Sequence, residues 1–168
     1  MPLIKDGAFS SDPWVRVDDR QALPDGPVVI TLRRWLAERG ALEARNAPLG
    51  LVLASDEAPD ALADDIARFD LICLEFPRFT DGRAYSCARK LRERLGYGGE
   101  LRAVGNVLRD QFLFMHRCGF DAFEVSGNDD PASWQRAVTE ISVAYQSAAD
   151  RRATIVRQRH ADEAPKRR

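Results

Sequence analysis

Four short, largely apolar runs recur along the chain from residue 48 onward: LGLVL at 49–53, LICLE at 71–75, LRAV at 101–104 and AFEV at 122–125. All four read as strands, and the first, without polar alternation, reads as covered on both faces. The segments between them change period. Leu62, Ile66 and Phe69 mark a helix over 59–69, and Tyr85, Ala88, Leu91 and Leu95 mark another over 82–95. A third covers 107–118 and is stopped by Gly119. Upstream, Val28-Val29-Ile30 is one more short strand. Thr31 then caps a helix LRRWLAERG in which Leu32, Trp35 and Leu36 share a face and Gly40 ends the run. Downstream, Asp129-Asp130-Pro131 opens a long helix over 131–149, with Trp134, Val138, Ile141 and Tyr145 as its apolar stripe.

Strand and helix in alternation, joined by short turns, specify an α/β fold with a mostly parallel sheet and right-handed crossovers. The rhythm gives about five βα units. A complete eight-unit barrel needs at least about 200 residues, more than the 168 here, so a partial barrel and a doubly wound sheet both stay open. At the start, residues 2–5 and 14–17 read as two extended pieces around the turn-rich KDGAFSSDP, an antiparallel hairpin or edge ribbon. One α/β domain is expected over 1–150. Residues 151–168 carry seven basic and two acidic side chains and read as a frayed basic extension.

Charge narrows the function classes. There are 25 basic and 26 acidic residues, net −1, a balance that points to no nucleic acid and no anionic membrane. No apolar run reaches the roughly 18 residues of a membrane span, and MPLIKDGAFSSD lacks the pattern of a secretory signal. Cys73, Cys87 and Cys118 are scattered thiols, neither a disulfide framework nor an iron–sulfur cradle, and are expected in the core of a cytoplasmic protein. His116 and His160 have no partner at ligand spacing, so no metal is expected. No nicotinamide fingerprint or P-loop is visible, so the cofactor stays unknown, and a flavin bound without a motif stays open.

Within the basic total, 22 residues are Arg and three are Lys. GC-rich codon usage accounts for most of that excess. Position separates a few of the arginines from the rest. In parallel α/β folds the site lies at the carboxyl ends of the strands. The loop FPRFTDGR follows the strand at 71–75 and holds Glu75, Arg78, Asp81 and Arg83. GNVLRDQ follows the next strand and holds Asn106, Arg109, Asp110 and Gln111. The two loops should be neighbours on one rim, where helix starts and guanidinium forks favour an oxyanion or an acidic partner surface. Glu75, Asp81 and Asp110 are the candidate acid–base groups. Arg78, Arg83, Arg89, Asn106, Arg109 and Gln111 are the candidate binding groups. The same side chains would also suffice for a structural network of ion pairs and caps.

The stretch EFPRFTDGRAYSCARKLRERLGYGGELRAVGNVLRDQFLFMHRCGFDAFEV, residues 75–125, closely resembles the bacterial domain-of-unknown-function family 934. The similarity runs from the N-terminal ribbon to about residue 148 and spares the tail. Members of that family carry the label of oxidoreductases involved in sulfite reduction. Matched by position, the motif residues are Glu75, Phe76, Pro77, Phe79, Asp81, Gly82, Arg83, Tyr85 and Arg89, then Gly105, Arg109, Asp110 and Gln111. Gly is usual where this chain has Ala84, and Asp where it has Asn106. The resemblance implies work beside sulfite reductase in sulfate assimilation and cysteine biosynthesis. With no electron-carrier motif, an accessory or partner-docking role is expected over an autonomous redox enzyme. The alternative from the residues is a small-metabolite enzyme that holds a carboxylate or phosphate, with Glu75 or Asp81 as acid or base.

Overall fold

A computed structural model describes residues 1–5, 7–125, 130–139 and 148–149. Eight strands form one sheet in the order β2-β1-β8-β7-β6-β5-β4-β3. They are β1 (Leu3–Lys5), β2 (Ala8–Ser10), β3 (Val15–Arg16), β4 (Val28–Thr31), β5 (Leu49–Leu53), β6 (Leu71–Phe76), β7 (Glu100–Gly105) and β8 (Ala122–Glu124). From β3 to β8 neighbours are parallel and strictly sequential, whereas β1 pairs antiparallel with both β8 and β2. A doubly wound sheet reverses its strand order at a switch point. This one never reverses, so every crossover packs on the same face and the sheet is a curled half-barrel.

The curl follows from chain length. Residues 11–14 connect β2 to β3, which lie at opposite edges of the sheet. Five Cα steps reach at most about 19 Å. Eight strands laid flat would hold those edges about 34 Å apart, at about 4.8 Å per step. The connector therefore closes the sheet on itself and crosses its concave face. Trp14 is the plug: a Cβ added to Gly50 would lie 3.2 Å from Trp14 Cζ3, so glycine makes room for the indole.

Strand alternation sorts side chains onto two faces. Ile72, Leu74 and Phe76 of β6, with Leu49, Leu51 and Leu53 of β5 and Leu101 and Ala103 of β7, face outward into the main core beneath the helices. Leu71, Cys73, Val29 and Val104 face inward around Trp14. The helices are α1 (Leu32–Glu43), α2 (Arg83–Glu93), α3 (Phe112–Arg117) and α4 (Pro131–Thr139). None of the described helices is long and apolar enough to cross a membrane.

Several expectations change. The hairpin partner of β1 is β2, within the stretch read as a turn, because Gly7 at φ 75° permits a tight reversal. Residues 15–16 join the far edge instead. Helix α1 starts at Thr31 as expected, its Oγ1 accepting from Arg34 N at 3.1 Å. It runs past Gly40 to Glu43, with a kink at Glu38. Burying Leu42 contributes about 1.5–3 kcal/mol, more than the roughly 1 kcal/mol that Gly costs inside a helix. Leu36 is exposed and does not share the buried face of Leu32 and Trp35.

Residues 59–69 form no α-helix but two 3-10 turns, Pro59–Leu62 and Ile66–Arg68, which still bury Leu62 and Phe69. Asp60, Asp64 and Asp65 offer local acceptors that compete with the helical ladder. The expected helix over 107–118 splits into a 3-10 turn, Arg109–Gln111, and α3. Of the expected 131–149 helix, α4 covers the described part. The basic extension over 151–168 lies outside the described residues.

Candidate functional site

Three neighbouring strands, β5, β6 and β7, deliver residues 54–60, 77–82 and 106–111 to one rim. At its centre Asp81 accepts from Arg83 N (3.2 Å), Nε (3.0 Å) and Nη2 (2.6 Å). The same Nη2 donates to Ser55 Oγ at 2.8 Å. One guanidinium thus ties the β6–α2 loop to the β5 loop, while the Asp81 carboxylate accepts from the first backbone N–H of α2. The Arg83 hydrogen bonds hold the Asp81 carboxyl down at about 2. At neutral pH Asp81 is therefore an ionised anchor for Arg83.

Beside this anchor a cleft of about 370 Å³ opens between residues 54–60 and the first half of α2, lined by Leu53 and Leu74 among others. That volume is in the range of small-molecule sites. Glu75 lines it from the end of β6. Glu75 and Arg78 make no ion pair or side-chain hydrogen bond among the described residues. Along the wall, Asp60 pairs with Lys90 near the surface, and burial pushes the Cys87 thiol up to about 11. Asp56, Glu57, Asp60 and Glu75 outnumber Arg83 and Lys90 among the charged groups of this lining.

The β7 loop is rooted differently. Asn106 N donates to Phe76 O at 2.7 Å, and Gly105 sits at φ 89° where an added Cβ would lie 2.5 Å from that oxygen. Only glycine permits this approach. Gln111 Nε2 donates to Phe79 O at 2.9 Å and fastens the β6 and β7 loops together. Arg109 turns to α4, its Nε donating to Ser133 O at 3.2 Å, and Asp110 projects into solvent 3.6 Å from Arg109 Nη1. Arg89 pairs with Glu93 on the outer face of α2. Of the expected residues, the rim brings together Glu75, Asp81 and Arg83, with Arg78, Asn106 and Gln111 alongside. Arg89, Arg109 and Asp110 point elsewhere.

Apolar side chains complete the rim. Phe79 on the β6 loop is 51% exposed, Leu108 on the β7 loop 41%, and Phe114 on α3 58%. The Phe114 ring leans on Tyr85 of α2 with centroids 4.7 Å apart.

A second polar centre escaped the sequence reading. On the concave face Arg102 is 1% exposed and meets Asp12, Glu100 and Glu124, while Arg16 pairs with Glu124 and Lys5 with Glu100. The signal was present as an Arg inside a buried strand, with Glu100 two residues away and Glu124 on the next run. Among the described residues no group of three or more side chains is arranged to hold a metal ion. Cys73 is buried beside this centre and its thiol is pushed up to about 12.

Compared with known families, residues 50–156 match a bacterial protein of unknown function, DUF934. The match covers both rim loops and starts later than the resemblance read from the motifs, leaving β1 to β4 and the connector outside it. No curated protein matches the chain.

Proposed function

The chain belongs to the bacterial family of unknown function DUF934, and on that premise we propose that it is a cytoplasmic accessory protein of assimilatory sulfite reduction that docks a partner through this rim. The sulfite link rests on the label carried by the chains it resembles. The docking mode rests on one observation: Phe79 and Leu108 stand exposed on two loops that Gln111 fastens together, with Arg78 beside Phe79 and without an ion pair among the described residues. Aromatic side chains and arginine are enriched in protein interfaces, and neighbouring exposed apolar groups mark interaction sites. The partner expected is a component of sulfite reductase. Affinity purification of the tagged chain from its native cell should recover that component, and the double change Arg78→Ala, Phe79→Ala should lose it. Disruption should impair growth on sulfate or sulfite and leave growth on cysteine intact. Normal growth on sulfate would sink the proposal.

The cleft favours a second reading, an enzyme acting on a small metabolite. Since Asp81 is committed to Arg83, the acid–base role in that reading falls to Glu75. Calorimetry with acetate and phosphate on the purified chain tests it, with Arg83→Ala expected to weaken binding about 10- to 100-fold, as for a hydrogen bond to a charged group. Absence of binding removes this reading without touching the first.

A further inference from the structure

The six charged groups on the concave face balance: Lys5, Arg16 and Arg102 against Asp12, Glu100 and Glu124. Five of them sit on strands. Asp12 alone sits on the connector over residues 11–14, between a three-residue and a two-residue edge strand. Its carboxylate grips the Arg102 fork from both ends, Oδ2 to Nη1 at 2.8 Å and Oδ1 to Nη2 at 3.1 Å. Oδ1 also accepts from Trp14 N at 3.2 Å. The remaining donors of Arg102 go to Glu100 Oε1, 2.9 Å from Nε, and to Glu124 Oε1, 3.3 Å from Nη1.

This is how a protein holds the carboxylate or oxyanion of a ligand: an almost fully buried guanidinium, oriented by two fixed carboxylates, presenting its fork to a planar acceptor. Here the acceptor belongs to the chain itself. The flanking edge strands are very short and exposed, so lifting the connector costs chiefly the withdrawal of Trp14 from the inner cluster. If the connector lifts, Arg102 keeps Glu100 and Glu124 but loses its bidentate acceptor, the cluster is left with one excess positive charge, and unmet donors on a guanidinium 1% exposed are unfavourable. A small anion would restore the balance. We propose that Asp12 is a built-in stand-in for a small oxyanion, and that the concave face is an oxyanion site closed by residues 11–14.

The proposal goes beyond rim docking, since the two sites share no residue and the test needs no partner. Asp12 competes with any added anion at the high effective concentration of a tethered group, so the wild-type chain should be nearly indifferent to millimolar sulfate. Asp12→Ala removes the competitor. Thermal unfolding of the full-length variant in sodium sulfate, against sodium chloride at equal ionic strength, should show a rise in Tm of about 3–5 °C at tenfold excess over Kd. Asp12→Asn, which keeps the Trp14 hydrogen bond and loses the charge, should respond in the same way. The double variant Asp12→Ala, Arg102→Met keeps the Lys5–Glu100 and Arg16–Glu124 pairs balanced and should lose the response.

A folded Asp12→Ala and Asp12→Asn that treat sulfate and chloride alike overturn the proposal. So does an equal sulfate response in the double variant. If Asp12→Ala is unfolded without sulfate, recovery of its near-ultraviolet dichroism by sulfate supports the site, and failure of sulfate to restore it counts against.

Discussion

Arginine meets carboxylate at the rim and again on the concave face, and the two places differ chiefly in access to water. Arg83 is more than half exposed and makes its bonds within one loop and to Ser55. Arg102 is buried, and its partners come from β7, from β8 and from a connector ninety residues away. At the rim, screening makes the pair a positional device that holds a loop in shape. On the concave face, the low local dielectric makes every missing partner expensive. Similar chemistry serves shape in one region and the closure of the half-barrel in the other.

The comparison breaks first at Arg102. Replacing it with Ala removes the one almost fully buried cation and leaves three partly exposed carboxylates facing two cations, and stability should fall by up to about 3–5 kcal/mol, the cost of removing one member of a buried ion pair. Urea unfolding followed by far-ultraviolet dichroism measures it. Arg83→Ala should shift the same midpoint by only a small fraction of that change. Equal losses at the two positions would mean that burial does not separate the two regions.

The parts of the fold visible before folding are those decided by neighbours along the chain. Strands β5 to β8 are largely apolar runs, and α2 keeps its three- and four-residue spacing, so both are written locally. Asp81 and Arg83 lie two residues apart and their pairing is equally local. What stayed hidden needs distant chain or turns on a single local residue. The choice between open sheet and half-barrel depends on strand order. The partner of β1 depends on one glycine turn, and the run over 59–69 has a helical spacing but settles for 3-10 turns. Ser55 reaches Arg83 from another strand. Arg102 could be noticed as an Arg in a buried strand, yet its meaning appears only once residues 11–14 cross the concave face.

A second test sharpens the rim side. Hydrogen bonds from Arg83 depress the Asp81 carboxyl from 3.8 to about 2. A group whose pKa is lowered by folding contributes stability that is present above its unfolded value and lost as pH falls through its folded one. The contribution of this pair should therefore be complete above about pH 4 and fade toward pH 2. Carboxyl NMR of the wild type should find Asp81 titrating near 2, and Arg83→Ala should return it toward 3.8. An unchanged titration would show that the Arg83 fork does not hold that loop.

The smallest expected effect on stability is the most informative about docking. Phe79 and Arg78 make no side-chain hydrogen bond or ion pair among the described residues, and the Phe79 ring is 51% exposed. Arg78→Ala and Phe79→Ala should each leave the unfolding midpoint within about 0.5 kcal/mol of wild type, as surface changes do. Folding alone gives little reason to keep a phenylalanine in water, and a partner that buries it gives one. If the pair of changes leaves stability intact and abolishes recovery of the sulfite reductase component, the rim is an interface. If it costs stability comparable to Arg102→Ala, Phe79 is holding the loop against the core, and the contrast between an open rim and a satisfied interior fails at the residue meant to display it.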